Sequence, residues 1–260
     1  MTNVDRQYGY LHGNDDYDQI DQGVNPVDVL QRAKASYPEF NPYAAPWLML
    51  QYQGNQGACQ GHALAHAFQV ALVQEHGIQA RFSRACAYYL SQKEDGINGD
   101  RGSTLAGGQK VAAKGICLED EWPYPSRYNN RQPASANGNM NFRMPGSKRI
   151  TDADLAWDLL ESGCCIQTGV AWNSSYEKEV CHTLKSTYGG GHSTLLYGLD
   201  EKTNNAIHHN SWRNWQGDGR NQWTKNFFAQ IVKRDRFAVF VCYDAAMLEA
   251  PADMADRLIG

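Results

Sequence analysis

The chain has 260 residues, 42% of them hydrophobic and 20% charged, with a formal net charge of −4. That is enough chain to bury a sizeable core in one large domain or two lobes. The slightly acidic balance and the absence of any basic block exclude an electrostatic footprint for nucleic acid or an anionic membrane.

No uncharged apolar run approaches the roughly 18 to 20 residues that span a bilayer. The polar start, MTNVDRQYGYLHGNDDYDQI, lacks the apolar core of a secretory signal, so the expected location is cytoplasmic. Seven cysteines, an odd number with Cys164 and Cys165 adjacent, fit reduced thiols better than a disulfide framework.

In chain order, residues 1–40 are polar and read as an N-terminal extension or a packed arm, with one short helix in NPVDVLQRAKA. PWLMLQYQ reads as an extended segment ahead of a glycine-rich turn. From Cys59 onward Leu64, Phe68 and Leu72 recur at helical spacing until Gly77. Further helices are expected in FSRACAYYLSQ, with Ser83 as N-cap, and in STLAGGQKVAAKG, ended by Gly115. A loop rich in Pro, Asn, Ser and Gly, residues 123–147, is a boundary or an excursion. After one more helix, TDADLAWDLLESG, come strand-like runs: CCIQTGVAW, HSTLLYGLD, NAIHHNSW and RFAVFVCYD. Helices first and strands afterwards predict an α+β fold, with residues 41–150 as a helical lobe and residues 151–260 as a β lobe.

Cys59 opens its helix behind Gly57 and Ala58. A helix N-terminus favours the thiolate, because unpaired N–H groups and the macrodipole stabilise negative charge there. A nucleophilic thiolate needs a base that also protonates the leaving group, and that base needs an orienting acceptor. His192 opens one strand-like run behind three glycines, and Asn210 ends the next.

These residues carry a resemblance to the papain-like cysteine peptidases, running from about Pro46 to about Asp244. In that group the His and Asn follow the Cys by about 130 to 150 residues. Gln53-Gly54-Asn55-Gln56-Gly57-Ala58-Cys59 resembles the Gln-Gly-x-x-Gly-Ser-Cys turn, Gly191-His192 resembles the His strand, and Asn210-Ser211-Trp212 with Trp215 and Gly217 resembles the Asn-Ser-Trp-Gly-x-x-Trp-Gly signature. The resemblance implies two lobes, the second an antiparallel β-barrel-like one, with the cleft between them. It implies a Cys59–His192 ion pair oriented by Asn210 and an oxyanion hole formed by Gln53 and the Cys59 N–H. It implies a shield over the Asn210–His192 bond from Trp212, and substrate contacts at Gly102, Ser103, Gly191 and Trp212. The implied partner is a protein or peptide substrate, hydrolysed without metal or organic cofactor.

The departures are specific. Gln60 stands where the family has Trp, Ala58 where it has Ser, Arg213 where it has Gly, and Gln56 where secreted members carry a disulfide-bonded Cys. Only 58 residues precede Cys59, fewer than the long inhibitory propeptide of secreted members. Two other readings stay open: a non-catalytic component of a larger assembly such as a virus particle, and a thiol-dependent amidase or acyl transferase. His62 with His66, and His208 with His209, read as structural, the second pair sent to opposite faces of a strand. Tyr88, Tyr89, Trp122, Trp157 and the remaining cysteines read as core.

Overall fold

The computed structural model describes residues 25–36, 51–185, 189–212, 216, 218–234, 238–243 and 246–247. The order is α1 (Pro26–Ser36), α2 (Cys59–His76), α3 (Arg84–Glu94), α4 (Leu105–Lys114), β1 (Phe142–Arg143), β2 (Lys148–Arg149), α5 (Ala153–Glu161), β3 (Cys165–Trp172), β4 (Val180–Cys181), β5 (Gly190–Leu199), β6 (Ala206–His209), β7 (Arg220–Trp223), α6 (Lys225–Val232), β8 (Ala238–Cys242) and β9 (Ala246–Met247). Seven strands form one sheet in the order β2-β8-β3-β5-β6-β7-β4, while β1 and β9 pair separately. All the pairings in the large sheet are antiparallel except β4 with β7.

Local chemistry explains the element boundaries. The hydroxyls of Ser83, Thr104 and Thr224 accept the N–H groups of Cys86, Gly107 and Phe227 at the starts of α3, α4 and α6, and the Asp152 carboxylate does the same for α5. Each such cap is typically worth about 1 kcal/mol over alanine. Gly77 ends α2 in the left-handed region at φ 68, where its N–H reaches the Val73 carbonyl. Gly198, at φ 75, sits where the β5–β6 register shifts between Leu196 and Leu199.

The sheet separates two cores. On one face Leu64, Phe68 and Leu72 of α2 pack with Phe82, Tyr88, Tyr89, Cys165, Leu195 and Tyr197. On the other, Val29 and Ala33 of α1 pack with Trp157, Leu160, Ile166, Leu196, Trp223, Phe227 and Phe228. Strand alternation makes this division, since Cys165 and Ile166, or Leu195 and Leu196, point to opposite faces. α2 is buried nearly all round, the expected state of a helix without a polar stripe. Gly61 lets α3 approach it: a Cβ there would lie 2.6 Å from the Tyr88 Cβ.

The expected helices and strands form, with differences. α1 packs into the second core through Val29 and Ala33. Residues 123–147 are an excursion that buries Ala136, Phe142 and Met144 against the α2 side, with the Ile116 N–H bonded to the Phe142 carbonyl. The described end of PWLMLQYQ, residues 51–53, is not strand, and the remainder lies outside the described residues. All seven cysteines are buried and none is in a disulfide. No helix among the described residues is long and apolar enough to cross a membrane.

Candidate active site

The turn before Cys59 is held from three directions. The Gly57 N–H donates to Asp100 Oδ1 at 2.8 Å, and Gln56 Nε2 donates to the Pro125 carbonyl at 2.7 Å. Gln56 Oε1 also accepts from the Tyr89 hydroxyl at 2.8 Å. Where secreted relatives of the resembled family carry a disulfide-bonded cysteine, this chain uses an amide with two bonds. Gly54, at φ 61, provides the reversal that brings Gln53 back toward the helix start.

Cys59 is the first residue of α2, and the first intrahelical bond runs from the His62 N–H to the Ala58 carbonyl at 3.0 Å. The helix carries neither a side-chain cap nor an acid of its own in its first turn, where the N-terminal field favours an anion. The Ser193 N–H of β5 donates to Cys59 Sγ at 3.4 Å. That contact brings the backbone beside His192 onto the sulfur. Leu105, Ala106 and Phe240 pack around it.

On the β side, Asn210 Oδ1 accepts the Ser211 N–H at 2.7 Å. A backbone N–H can only donate, which fixes the Asn210 amide orientation. The same oxygen lies 2.7 Å from His192 Nε2, so Nε2 carries the proton and Nδ1 is the basic nitrogen. Trp212 stacks on the imidazole at 4.1 Å between centroids, and Trp172 meets it edge-on at 5.1 Å. Burial pushes the His192 pKa down to about 3, with the Asn210 bond acting in the opposite direction. Burial thus favours the neutral ring, and Nδ1 is the nitrogen that can take up a proton.

Ser211 also turns the other way. Its carbonyl accepts the Gln53 N–H at 2.8 Å, and its hydroxyl donates to Gln53 Oε1 at 2.6 Å. Gln53 Nε2 donates to the Gln56 carbonyl at 2.7 Å, so this amide too is fixed end for end. One dipeptide, Asn210-Ser211, therefore orients both the histidine and the glutamine.

The sequence-expected residues Gln53, Cys59, His192, Asn210 and Trp212 come together and are buried, Cys59 and His192 at 0% exposure. Trp212 is buried and forms a wall of the imidazole. Gly191 is half-buried beside His192, opposite Ala171. Gly102, at φ 88, has its N–H on the Tyr88 hydroxyl at 3.2 Å and its carbonyl accepting from Gln92 Nε2 at 2.9 Å. An extended substrate would compete with Tyr88 for that N–H. The buried Ser103 hydroxyl faces inward to Gln60 Oε1 at 3.0 Å. Arg213, Trp215 and Gly217 lie outside the described residues.

Sequence reasoning assigned no role to Asp100 or Gln167, and gave Ser211 a place in a motif but no task. His62 and His66 are buried in α2. His66 lies against His209, with ring centroids 4.5 Å apart. Among the described residues no group of three or more His, Cys, Asp or Glu could hold a metal ion.

No protein-family model and no curated protein matches the chain. Among solved structures it is similar to xylellain, a cysteine protease from Xylella fastidiosa, with a TM-score of 0.72 and 22% identity over 94% of this chain and 98% of that one. It is similar to digestive procathepsin L 3 of the Tenebrio molitor larval midgut, with a TM-score of 0.57 and 15% identity over 85% and 79%. A procathepsin B from Trypanosoma congolense gives 0.59 and 14% over 86% and 83%. The fold is papain-like.

Proposed function

We propose that the chain is a papain-like cysteine endopeptidase, with Cys59 on its helical side as nucleophile and His192 on its β side as general base. The observation that carries this reading is the Asn210-Ser211 corner, which fixes the protonated nitrogen of His192 and the amide of Gln53 at once.

The chemistry follows from those orientations. As Sγ attacks the peptide carbonyl carbon, the thiol proton passes to His192 Nδ1 and the carbonyl electrons move to oxygen. Gln53 Nε2 and the Cys59 N–H hold that oxyanion, a kind of donor worth about 10²- to 10³-fold in rate. The intermediate collapses with cleavage of the C–N bond, and the imidazolium gives its proton to the departing amine. Water, deprotonated by His192, then attacks the thioester; its hydroxyl stays on the acid and the thiol is restored. Substrate is a protein or peptide, and Gly191 contributes to its backbone contacts.

The test is intact-mass analysis after exposure to an epoxide thiol probe, run beside peptide hydrolysis for wild type, Cys59→Ala and His192→Ala. Probe uptake and hydrolysis that both need the two residues are expected. Uptake at another thiol with undiminished hydrolysis in Cys59→Ala would sink the assignment. Parallel assays on peptide, ubiquitin-like and cell-wall substrates separate an endopeptidase from an amidase or acyl transferase.

A further inference from the structure

Gln167 lies in β3, paired with Leu195 of β5 on one side and Phe240 of β8 on the other. It faces the α2 side with Cys165, whose sulfur lies 3.5 Å from the Ala67 carbonyl. The neighbouring positions Cys165 and Leu195 are core residues of that face. A fully buried amide in such a place costs stability unless its polar atoms are matched.

They are matched in a particular way. Gln167 Nε2 donates to the Gln60 carbonyl at 3.2 Å and to the Ser193 hydroxyl at 3.4 Å. Gln109 Nε2, from α4, donates to Gln167 Oε1 at 2.9 Å. A carbonyl can only accept, so the end facing Gln60 is the nitrogen, and Gln109 holds the oxygen at the other end. Gln60 follows Cys59 in sequence and Ser193 follows His192. One amide thus bonds to the immediate successors of both the nucleophile and the base, and one of those successors donates its own N–H to Cys59 Sγ at 3.4 Å.

We propose that Gln167, held by Gln109, is a positioning residue that sets the register between Cys59 and His192. The proposal rests on the thiol-hydrolase reading above. It also assigns a task to Gln60 that a side-chain comparison with the family's tryptophan does not suggest. The Gln60 backbone is the anchor, while its side chain accepts from Ser103 and lies over Gly108. A Cβ on Gly108 would fall 1.7 Å from Gln60 Nε2, so that glycine makes room for this amide.

Without the clamp, Ser193 loosens and the Ser193 N–H to Sγ bond weakens. A thiolate with one donor fewer is less stabilised and forms at higher pH, and a misplaced pair loses turnover rather than substrate affinity, by up to about 10²-fold for 1 Å.

The experiment uses the full chain as wild type, Gln167→Met, which keeps the side-chain length without its donors, and Gln109→Met, which leaves Gln167 in place. Alkylation of Cys59 by iodoacetamide is followed by intact mass between pH 5.5 and 9.5, with Cys59→Ala as blank. Peptide kcat and KM and the thermal midpoint are measured in parallel. For Gln167→Met the expected result is alkylation about tenfold slower at pH 6.5, convergence with wild type at pH 9.5, and kcat down about tenfold or more with KM within about threefold. Gln109→Met shifts the profile the same way by less. An unchanged alkylation profile with only a lower thermal midpoint makes Gln167 a structural tie and overturns the proposal. If Gln167→Met does not fold, Gln109→Met decides by the same criterion. Wild type that is alkylated at Cys59 but hydrolyses nothing refutes the peptidase reading, while the pH profiles still decide the clamp.

Discussion

Two histidine–asparagine pairs meet at Trp172. In one, His192 Nε2 meets Asn210 Oδ1 at 2.7 Å; in the other, His208 Nδ1 meets its cross-strand partner Asn221 at 2.6 Å. Both imidazoles are buried, both touch Trp172, and each stacks on a further tryptophan, Trp212 or Trp223. Their surroundings differ. The backbone following His192 reaches a cysteine sulfur, and the residue following Asn210 reaches the Gln53 amide. Asn221 instead spends its amide hydrogens on the Tyr176 and Lys178 carbonyls and on Cys181. A His–Asn bond is therefore a way to fix a ring, and what the fixed ring faces decides whether it does chemistry.

The largest expected effect breaks the symmetry directly. His192→Ala should lower kcat by about 10²- to 10⁴-fold, the usual contribution of a positioned acid–base, on top of a stability loss of about 2–4 kcal/mol for an equally buried and partnered ring. His208→Ala should leave kcat within about threefold and cost about 2–4 kcal/mol, because it opens a cavity between two tryptophans and removes the partner of Asn221. Steady-state kinetics beside urea unfolding reads both, and a rate loss in His208→Ala comparable to that in His192→Ala would erase the distinction.

Acidification acts on the two pairs alike. Burial is the main cause that lowers the pKa of His192 and His209 to about 3, and it lowers His62, His66 and His208 well below their usual range. Arg84 adds to the effect at His62 and His66, and Arg220 at His209. Above about pH 6.5 these rings are neutral in both folded and unfolded chains, so the stability is fully present there. As pH falls below about 6.5 the unfolded chain takes up protons that the native one refuses, and stability drops progressively with each such ring. Urea unfolding at pH 7.5, 6.5, 5.5 and 4.5 should show a steepening loss, with a shallower slope in His208→Gln. A midpoint that stays flat to pH 4.5 contradicts it.

Much of this site was legible because its members stand at element ends. Gln53 and Cys59 flank a glycine turn, His192 starts a strand behind glycines, and Asn210 ends one, so punctuation in the sequence marks them. Gln167 carries no such mark: it sits inside an apolar run, and its partners come from α2, α4 and β5, which only the tertiary fold brings together. Asp100 was hidden for the same reason, since its partner Gly57 belongs to another loop. In the fold, α6 escaped notice among strand-like segments although Thr224 caps it and Phe227, Phe228, Ile231 and Val232 form its buried face. The two-residue strands β1, β2, β4 and β9 have no periodicity to read and exist through their partners.

The smallest predicted effect concerns the residues that follow the two asparagines. Ser211 donates its hydroxyl to Gln53 Oε1, whereas Gln222, after Asn221, accepts from Thr203 and Asn205 near the surface. Removing the Ser211 hydroxyl leaves the Gln53 amide with only the Gln56 carbonyl bond to oppose its rotation. The oxyanion donor is then correctly placed only part of the time, which lowers turnover without altering the ground-state substrate contacts. Ser211→Ala should reduce kcat by about tenfold, less than loss of an oxyanion donor outright, with KM little changed and Ser211→Thr restoring most of the rate. Gln222→Ala should stay close to wild type. Equal rates for Ser211→Ala and Gln222→Ala would show that Gln53 holds its orientation through the Gln56 carbonyl alone, and that the polar corner adds nothing to it.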